Sequence, residues 1–428
     1  MNKYSIKFLL LAFRRRVFCC ERFIKAAKKV LIGGSMQNEL LIKKLNSSFG
    51  AVRKFAVARA GKTLLSGDKF ASPVGEVNLN LHSFYSFSPY SPSLAAYSAA
   101  TRGIKIAGLC DYGSIGGIKE FEKACGKFGI SCLCGVELRA RAGEKIIGVS
   151  LYGSNKKLEE IKTFLSGFRA GRIKKAQAVT AAFNRRLKKA GLSVDFEKDV
   201  LPVSAKKGVG TVMSKHIYLA ASDKLIKKFG MGKPLADFIR DKMCLDLAER
   251  EYELLFDEKN PFYKYDLVQI LRDNSRDYAV DNELPCIEKI AELAKNGGFV
   301  FAAEYHKAEP CEEFEKFALE AKNYGCNAVS FALKDCEEAL LASYADVLIK
   351  NKMLALPFEK VEYPRNKFES SMPEFLRKCF LKCAYAALGN AKSVEESFKD
   401  GLFSDKTAEK LADFEERINV FSEIGKNS

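Results

Sequence analysis

Glu76-Val77-Asn78-Leu79-Asn80-Leu81-His82-Ser83 decides how the chain is read: a short apolar strand that ends in polar residues and a histidine. Ser86-Phe87-Ser88-Pro89-Tyr90-Ser91-Pro92 follows as a turn whose serines can cap the next helix, with Pro92 suited to a first helical turn. Strands read over residues 77–81, 104–110 and 130–136 are separated by helix-length segments at 94–102 and 115–127. That is a βαβαβ rhythm, which predicts a parallel sheet. Such sheets gather function at the carboxyl ends of their strands. His82, Asp111 and Glu137 all fall there, and are expected to share one pocket.

The alternation resumes later, with strands expected at 297–303, 328–332 and 353–358 and helices at 312–324, 335–345 and 372–387. Between the two halves lies a region read as a helical insertion, about 161–285. Arg169, Arg172, Lys174, Lys175, Arg185, Arg186, Lys188 and Lys189 fall in it, interleaved with Ala, Leu and Phe. A basic lid for phosphate groups is one reading; a solvated helical face is the plainer one, because the apolar residues keep helical spacing. Phe262, Tyr263 and Tyr265 follow a break at Asn260-Pro261 and read as core rather than a base-stacking platform. Residues 40–65 read as a helical region before the first strand, and 393–428 as two short charged helices on the outside of the fold.

Composition excludes some classes. With 428 residues, 47% of them hydrophobic, the chain can bury a large core and is not of the disordered type. The formal charge of +17 would suggest an acidic partner, nucleic acid included, but residues 1–35 hold nine Lys/Arg against the single acid Glu21. The rest is diluted over the remaining chain. Thirteen cysteines lie scattered with no Cys-x-x-Cys pair, which points to reduced thiols and a cytoplasmic setting rather than a zinc ribbon or a disulfide framework.

Residues 8–13 form an apolar run far short of the roughly 18 needed to span a membrane, and Arg14 to Arg16 follow it, the reverse of a secretory signal. No membrane span is expected. Residues 1–35 read either as a basic surface helix that touches anionic lipid or nucleic acid, or as an extension outside the natural product; the second is favoured, with Met36 as the start, because Gly33-Gly34-Ser35-Met36 is what a purine-rich ribosome-binding site upstream of a start codon would give if translated.

The order Asn78-Leu79-Asn80-Leu81-His82-Ser83, Cys110-Asp111-Tyr112 and Gly135-Val136-Glu137 resembles the PHP (polymerase and histidinol phosphatase) family. That family carries His-x-His, Thr-Asp-His and Gly-x-Glu at these places. The resemblance continues through Gly210-Thr211-Val212-Met213-Ser214-Lys215-His216, Gly297 to Ala302, and Val361-Glu362-Tyr363-Pro364-Arg365. It covers residues 76–368, flanked by helical regions at 36–75 and 369–428. It implies an α/β fold, a distorted (β/α)7 TIM-like barrel with a helical insertion and helical extensions at both ends. It also implies a divalent metal (Mn, Zn, Mg or Fe) held by His82, Asp111, Glu137 and His216, and hydrolysis of a phosphorylated small molecule or nucleotide, with Arg365 and Lys360 as substrate-binding residues.

The chain departs from that pattern. Asn80 and Tyr112 stand where imidazoles belong, Lys360 stands where an aspartate ligand is expected, and Glu304 or His306 would have to replace a histidine. With only three histidines, a three-metal cluster is excluded. A lysine beside divalent cations is unfavourable, whereas the same ammonium in an emptied site could neutralise Asp111 and Glu137. Two readings therefore stand: a metal-dependent phosphoesterase, or a catalytically inactive relative, with no metal, that uses the pocket for an anion or a partner. A nucleic-acid role rests on charge alone. His306, in a polar loop, reads as exposed.

Overall fold

The computed structural model describes residues 36–65, 76–204, 209–275, 284–332, 336–361, 374–396 and 400–427. The basic extension, the proposed start's upstream residues and Arg365 lie outside the described residues.

Eight strands form one sheet: β1 (Glu76–Leu81), β2 (Ile104–Tyr112), β3 (Ser131–Cys132), β4 (Gly135–Ala142), β5 (Lys145–Tyr152), β6 (Val300–Tyr305), β7 (Ala328–Ala332) and β8 (Leu354–Phe358). Their order is β1-β2-β4-β5-β6-β7-β8, with the two-residue β3 beside β2. A bridge between Leu81 and Val361 brings the end of β1 to the segment after β8, so the seven strands make a nearly closed, barrel-like sheet. All neighbours run parallel except β5, which is antiparallel to β4 and to β6. β6, β7 and β8 are buried along almost their whole length, as a helix-covered sheet requires, whereas the far end of the β4–β5 hairpin exposes Arg139, Arg141, Lys145 and Ile146.

The helix after β1, Pro92–Ala100, forms for the reasons visible in its sequence: the Ser91 side chain accepts the Leu94 N–H at 3.0 Å, and Pro92 sits in the first turn. Gly103 (φ 75°) then turns the chain into β2. Ile118–Phe128 likewise ends on Gly129 at φ 71°.

Several expectations need correction. The strand expected over 130–136 is interrupted at Leu133–Cys134 opposite Gly108, and beyond the gap it runs on to Ala142. Glu137 is therefore near the start of β4 rather than at a strand's carboxyl end. The turn at Gly143, with φ 59°, then folds β5 back in register Ala142 to Lys145, a two-residue hairpin loop that takes glycine first. This antiparallel strand was not anticipated, and it makes the barrel irregular. The region 40–65 is two helices, Met36–Leu45 and Gly50–Leu65. The strand expected from Gly297 begins at Val300, because Gly297 completes a helix that Gly298 stops at φ 63°.

From Asn155 to Ser275 the described residues contain helices and no strand. They bury a second core of their own, including Phe183, Ile217, Leu225, Ile239, Leu255 and Leu271. Its longest helix, Lys162–Leu187, buries Leu165, Phe168, Ala176, Val179, Phe183 and Leu187 at helical spacing, while Lys174, Arg185, Lys188 and Lys189 are exposed. Glu374–Glu395 and Phe414–Lys426 pack so closely that a side chain on Gly389 or Gly425 would meet the other helix's backbone. Among the described residues no helix is long and apolar enough to cross a membrane.

Candidate functional site

The polar residues of β1, β2 and β4 meet at one mouth of the barrel. His82 follows β1 and is 1% exposed. Its Nε2 lies 2.8 Å from Asn80 Oδ1 and 3.2 Å from Glu137 Oε2. Both neighbours are acceptor oxygens, so Nε2 carries a hydrogen. On the ring's other side Nδ1 lies 3.2 Å from Ser86 Oγ, and that hydroxyl donates to Asp111 Oδ1 at 2.7 Å. His82 therefore sits between the two carboxylates, in contact with Glu137 and one hydroxyl away from Asp111.

Asp111, on β2, is held by the loop after β1. It accepts the Ser83 N–H (2.7 Å) and the Ser83 (2.5 Å) and Ser86 (2.7 Å) hydroxyls. Burial pushes its carboxyl above the usual range, opposed by His82 and by these donors.

Glu137 is bound by Lys360, whose Nζ donates to Oε1 at 2.8 Å and to Oε2 at 2.7 Å. Burial alone would raise this carboxyl; the ammonium and His82 outweigh it and hold it well below the usual range. Lys360 is delivered there by the barrel seam. Asn78 Nδ2 donates to the Glu359 carbonyl at 2.9 Å, and the Val361 N–H points to the Asn80 carbonyl at 3.4 Å, so the residues on both sides of Lys360 are fastened to β1.

The remaining expected residues lie close by in other arrangements. Glu304, on β6, accepts the Ser150 hydroxyl at 2.7 Å, and His306 Nε2 is 3.4 Å from its other oxygen. His306 is half exposed, as read from its loop. Cys110 lies 3.5 Å from Ser150 Oγ, its thiol pushed up by burial. Tyr112 turns away from this cluster, edge-on to Phe168 with Arg172 over its ring. His216 is buried, its Nδ1 accepting the Met213 N–H at 3.0 Å, its other hydrogen bond to the Ser86 main chain, and Phe87 edge-on. Burial, helped by Lys215, lowers its pKa to about 3, so it is neutral.

The sequence reading did not place Ser83, Ser86 or Ser150 in the site. Ser86 looked like a capping serine, a role that falls to Ser91. Only the fold shows its hydroxyl between His82 and Asp111.

As they stand, these side chains do not fit a resident divalent cation. The ammonium of Lys360 covers both oxygens of Glu137, Asp111 is spent on three donors, and His82 presents an N–H rather than a lone pair to its oxygens. Among the described residues no group of three or more His, Cys, Asp or Glu side chains is arranged to hold a metal ion. One donor is left over: Asn80 is fully buried, and its Nδ2 has no acceptor among the described residues.

No protein-family model matches the chain, and no curated protein matches it. Solved structures do. One is a candidate metal-dependent phosphoesterase from Bifidobacterium adolescentis, 14% identical, covering 71% of this chain and 94% of its own, with a TM-score of 0.49. Another is an amidohydrolase from Chromobacterium violaceum with bound sulfate and no metal, 16% identical, covering 70% and 92%, with a TM-score of 0.48.

Proposed function

We propose that the barrel mouth binds an anionic, phosphorylated ligand without a resident metal and without hydrolysing it, making the chain an inactive relative of metal-dependent phosphoesterases. The observation that carries this reading is the two-pronged contact of Lys360 with Glu137 inside the carboxylate and imidazole cluster. A buried carboxylate needs a compensating cation, and here the chain supplies its own. Hydrolysis of a phosphoester by this kind of site depends on a cation that polarises the phosphoryl oxygen and acidifies water, and a compact ammonium bound to a carboxylate does neither. Binding is supported by the unused Asn80 amide next to His82, a buried donor that a phosphoryl oxygen, an acceptor only, would satisfy.

The test combines thermal melting with an activity assay on purified protein. Inorganic phosphate or an aryl phosphate should raise the melting temperature equally with and without a chelator, and no phosphate should be released when Mn or Zn is added. Protein that retains a stoichiometric metal and cleaves the aryl phosphate overturns the reading in favour of the phosphoesterase.

A further inference from the structure

The helix Gly50–Leu65 turns a large apolar side chain to solvent. Arg53, Ala56, Val57, Ala60 and Gly61 form its buried side, and it packs on the helix Ile118–Phe128. Phe55 lies on the opposite side and is 79% exposed, the most open large apolar side chain among the described residues. Val52 is exposed beside it, and Ala51 and Ala58, about one turn away on either side, leave the ring standing clear. The helix cannot roll to hide that ring. Arg53 donates from Nε and Nη2 to the two oxygens of Glu120 at 2.7 and 2.5 Å, and from Nη1 to the Ser47 carbonyl at 2.7 Å. Glu120 is held in turn by the Ser93 hydroxyl at 2.6 Å. Two turns on, Gly61 lies so close to the neighbouring helix that a Cβ there would come within 2.6 Å of the Lys127 carbonyl oxygen.

The charge around the ring defines what it can face. Residues 36–65 carry Lys43, Lys44, Arg53, Lys54, Arg59 and Lys62 against the single acid Glu39. Arg53 is engaged with Glu120, whereas the other five cations are exposed. Arg59 and Lys62 continue Phe55's side of the helix, one and two turns on, and Lys54 flanks it. A partner must therefore be anionic and must accept an aromatic ring. The face of a 16-residue helix is about 24 Å long and 10 Å wide, roughly 240 Å². That is far below the roughly 800 Å² per side of a stable protein interface, which argues against a second copy or a folded partner. A bilayer sets no such minimum, since its headgroup phosphates take cations one by one and its acyl boundary takes apolar side chains. We infer that the outward face of Gly50–Leu65 docks on an anionic lipid surface, with Phe55 and Val52 entering at the acyl boundary and Lys54, Arg59 and Lys62 on lipid phosphates. This face shares no residue with the barrel mouth and does not depend on what binds there.

The experiment sediments the full chain with vesicles of phosphatidylcholine alone, or with phosphatidylglycerol as a third of the lipid, at low and high salt. Wild type should bind the anionic vesicles at low salt, leave them at high salt, and ignore the neutral ones. Phe55→Ser should weaken binding about tenfold. Lys54→Gln/Arg59→Gln should weaken it about thirtyfold, since each cation near an anionic surface is worth about fivefold. These sites are exposed, so melting temperatures should match wild type; if Phe55→Ser melts lower, Val52→Ser takes its place, with a loss of about threefold. Binding that is equal on both vesicle types, absent from both, or unchanged in the variants overturns the inference; unchanged binding would belong to the basic residues 1–35 instead. A dimer in vesicle-free buffer that Phe55→Ser dissolves assigns the face to a second copy, and a single-stranded oligonucleotide held through Phe55 and Arg59 in place of vesicles assigns it to nucleic acid. Either result overturns the inference as well.

Discussion

His216 should make this protein acid-sensitive over a defined window. Its ring is buried, Nδ1 accepts the Met213 N–H, and the other side is bonded to the Ser86 main chain. Protonation would set a second hydrogen against the Met213 N–H inside a site with no room for charge. Its pKa accordingly falls from 6.5 to about 3, burial being the main cause. Because the folded value is depressed, the unfolded chain takes up the proton first as pH falls. The stabilisation is complete above pH 6.5, declines below it, and levels off only below pH 3. At pH 5 the unfolded histidine is charged and the folded one is not, a difference of 1.5 pH units at about 1.4 kcal/mol each, or about 2 kcal/mol. Urea unfolding of wild type and His216→Gln at pH 8 and pH 5 isolates the effect, since every other titrating group is common to both. Glutamine can still accept the Met213 N–H. Wild type should lose about 2 kcal/mol more than the variant between the two pH values; equal losses refute the buried, neutral assignment. The Glu137 contribution falls in a separate window, since its lowered carboxyl stabilises the fold above the unfolded value of 4.5 and fails only as pH drops below that.

Two further substitutions test the frame around the site. Asp111→Ala removes the acceptor of one backbone and two hydroxyl donors, all buried, and should cost about 3–5 kcal/mol in urea unfolding; a loss under about 1 kcal/mol would mean that those donors find other partners. Gly108→Ala, in the middle of β2, would place a methyl against the Leu133 carbonyl and 2.9 Å from the Leu79 backbone, so it should destabilise by about 3 kcal/mol by forcing strands apart. An unchanged denaturation midpoint would show that the sheet opens there at no cost.

Local chemistry wrote most of the elements into the chain. The Ser91 cap, Pro92 in the first turn, and Gly103 and Gly129 in left-handed conformations act within a few residues of themselves, so the helices and strands around them could be placed by reading alone. The same holds for β7, found at the residues expected for it. Strand β5 was legible in principle, since Gly143 and the apolar run after it are local signals, but an interrupted β3 and β4 masked the hairpin. The residue types Asn80, Tyr112 and Lys360 also marked, before any fold was known, where the chain departs from the motifs it resembles. What they do instead was not local. Lys360 reaches Glu137 across 223 positions, and only because Val361 is bridged to Leu81 at the barrel seam. Ser86 bonds Asp111 across 25 positions, and His216 spends its ring on main chain. Secondary structure answers to neighbours in sequence; which charge meets which is settled by closure of the sheet, where a shift of one residue in β2 or β4 would turn Asp111 or Glu137 to the other face.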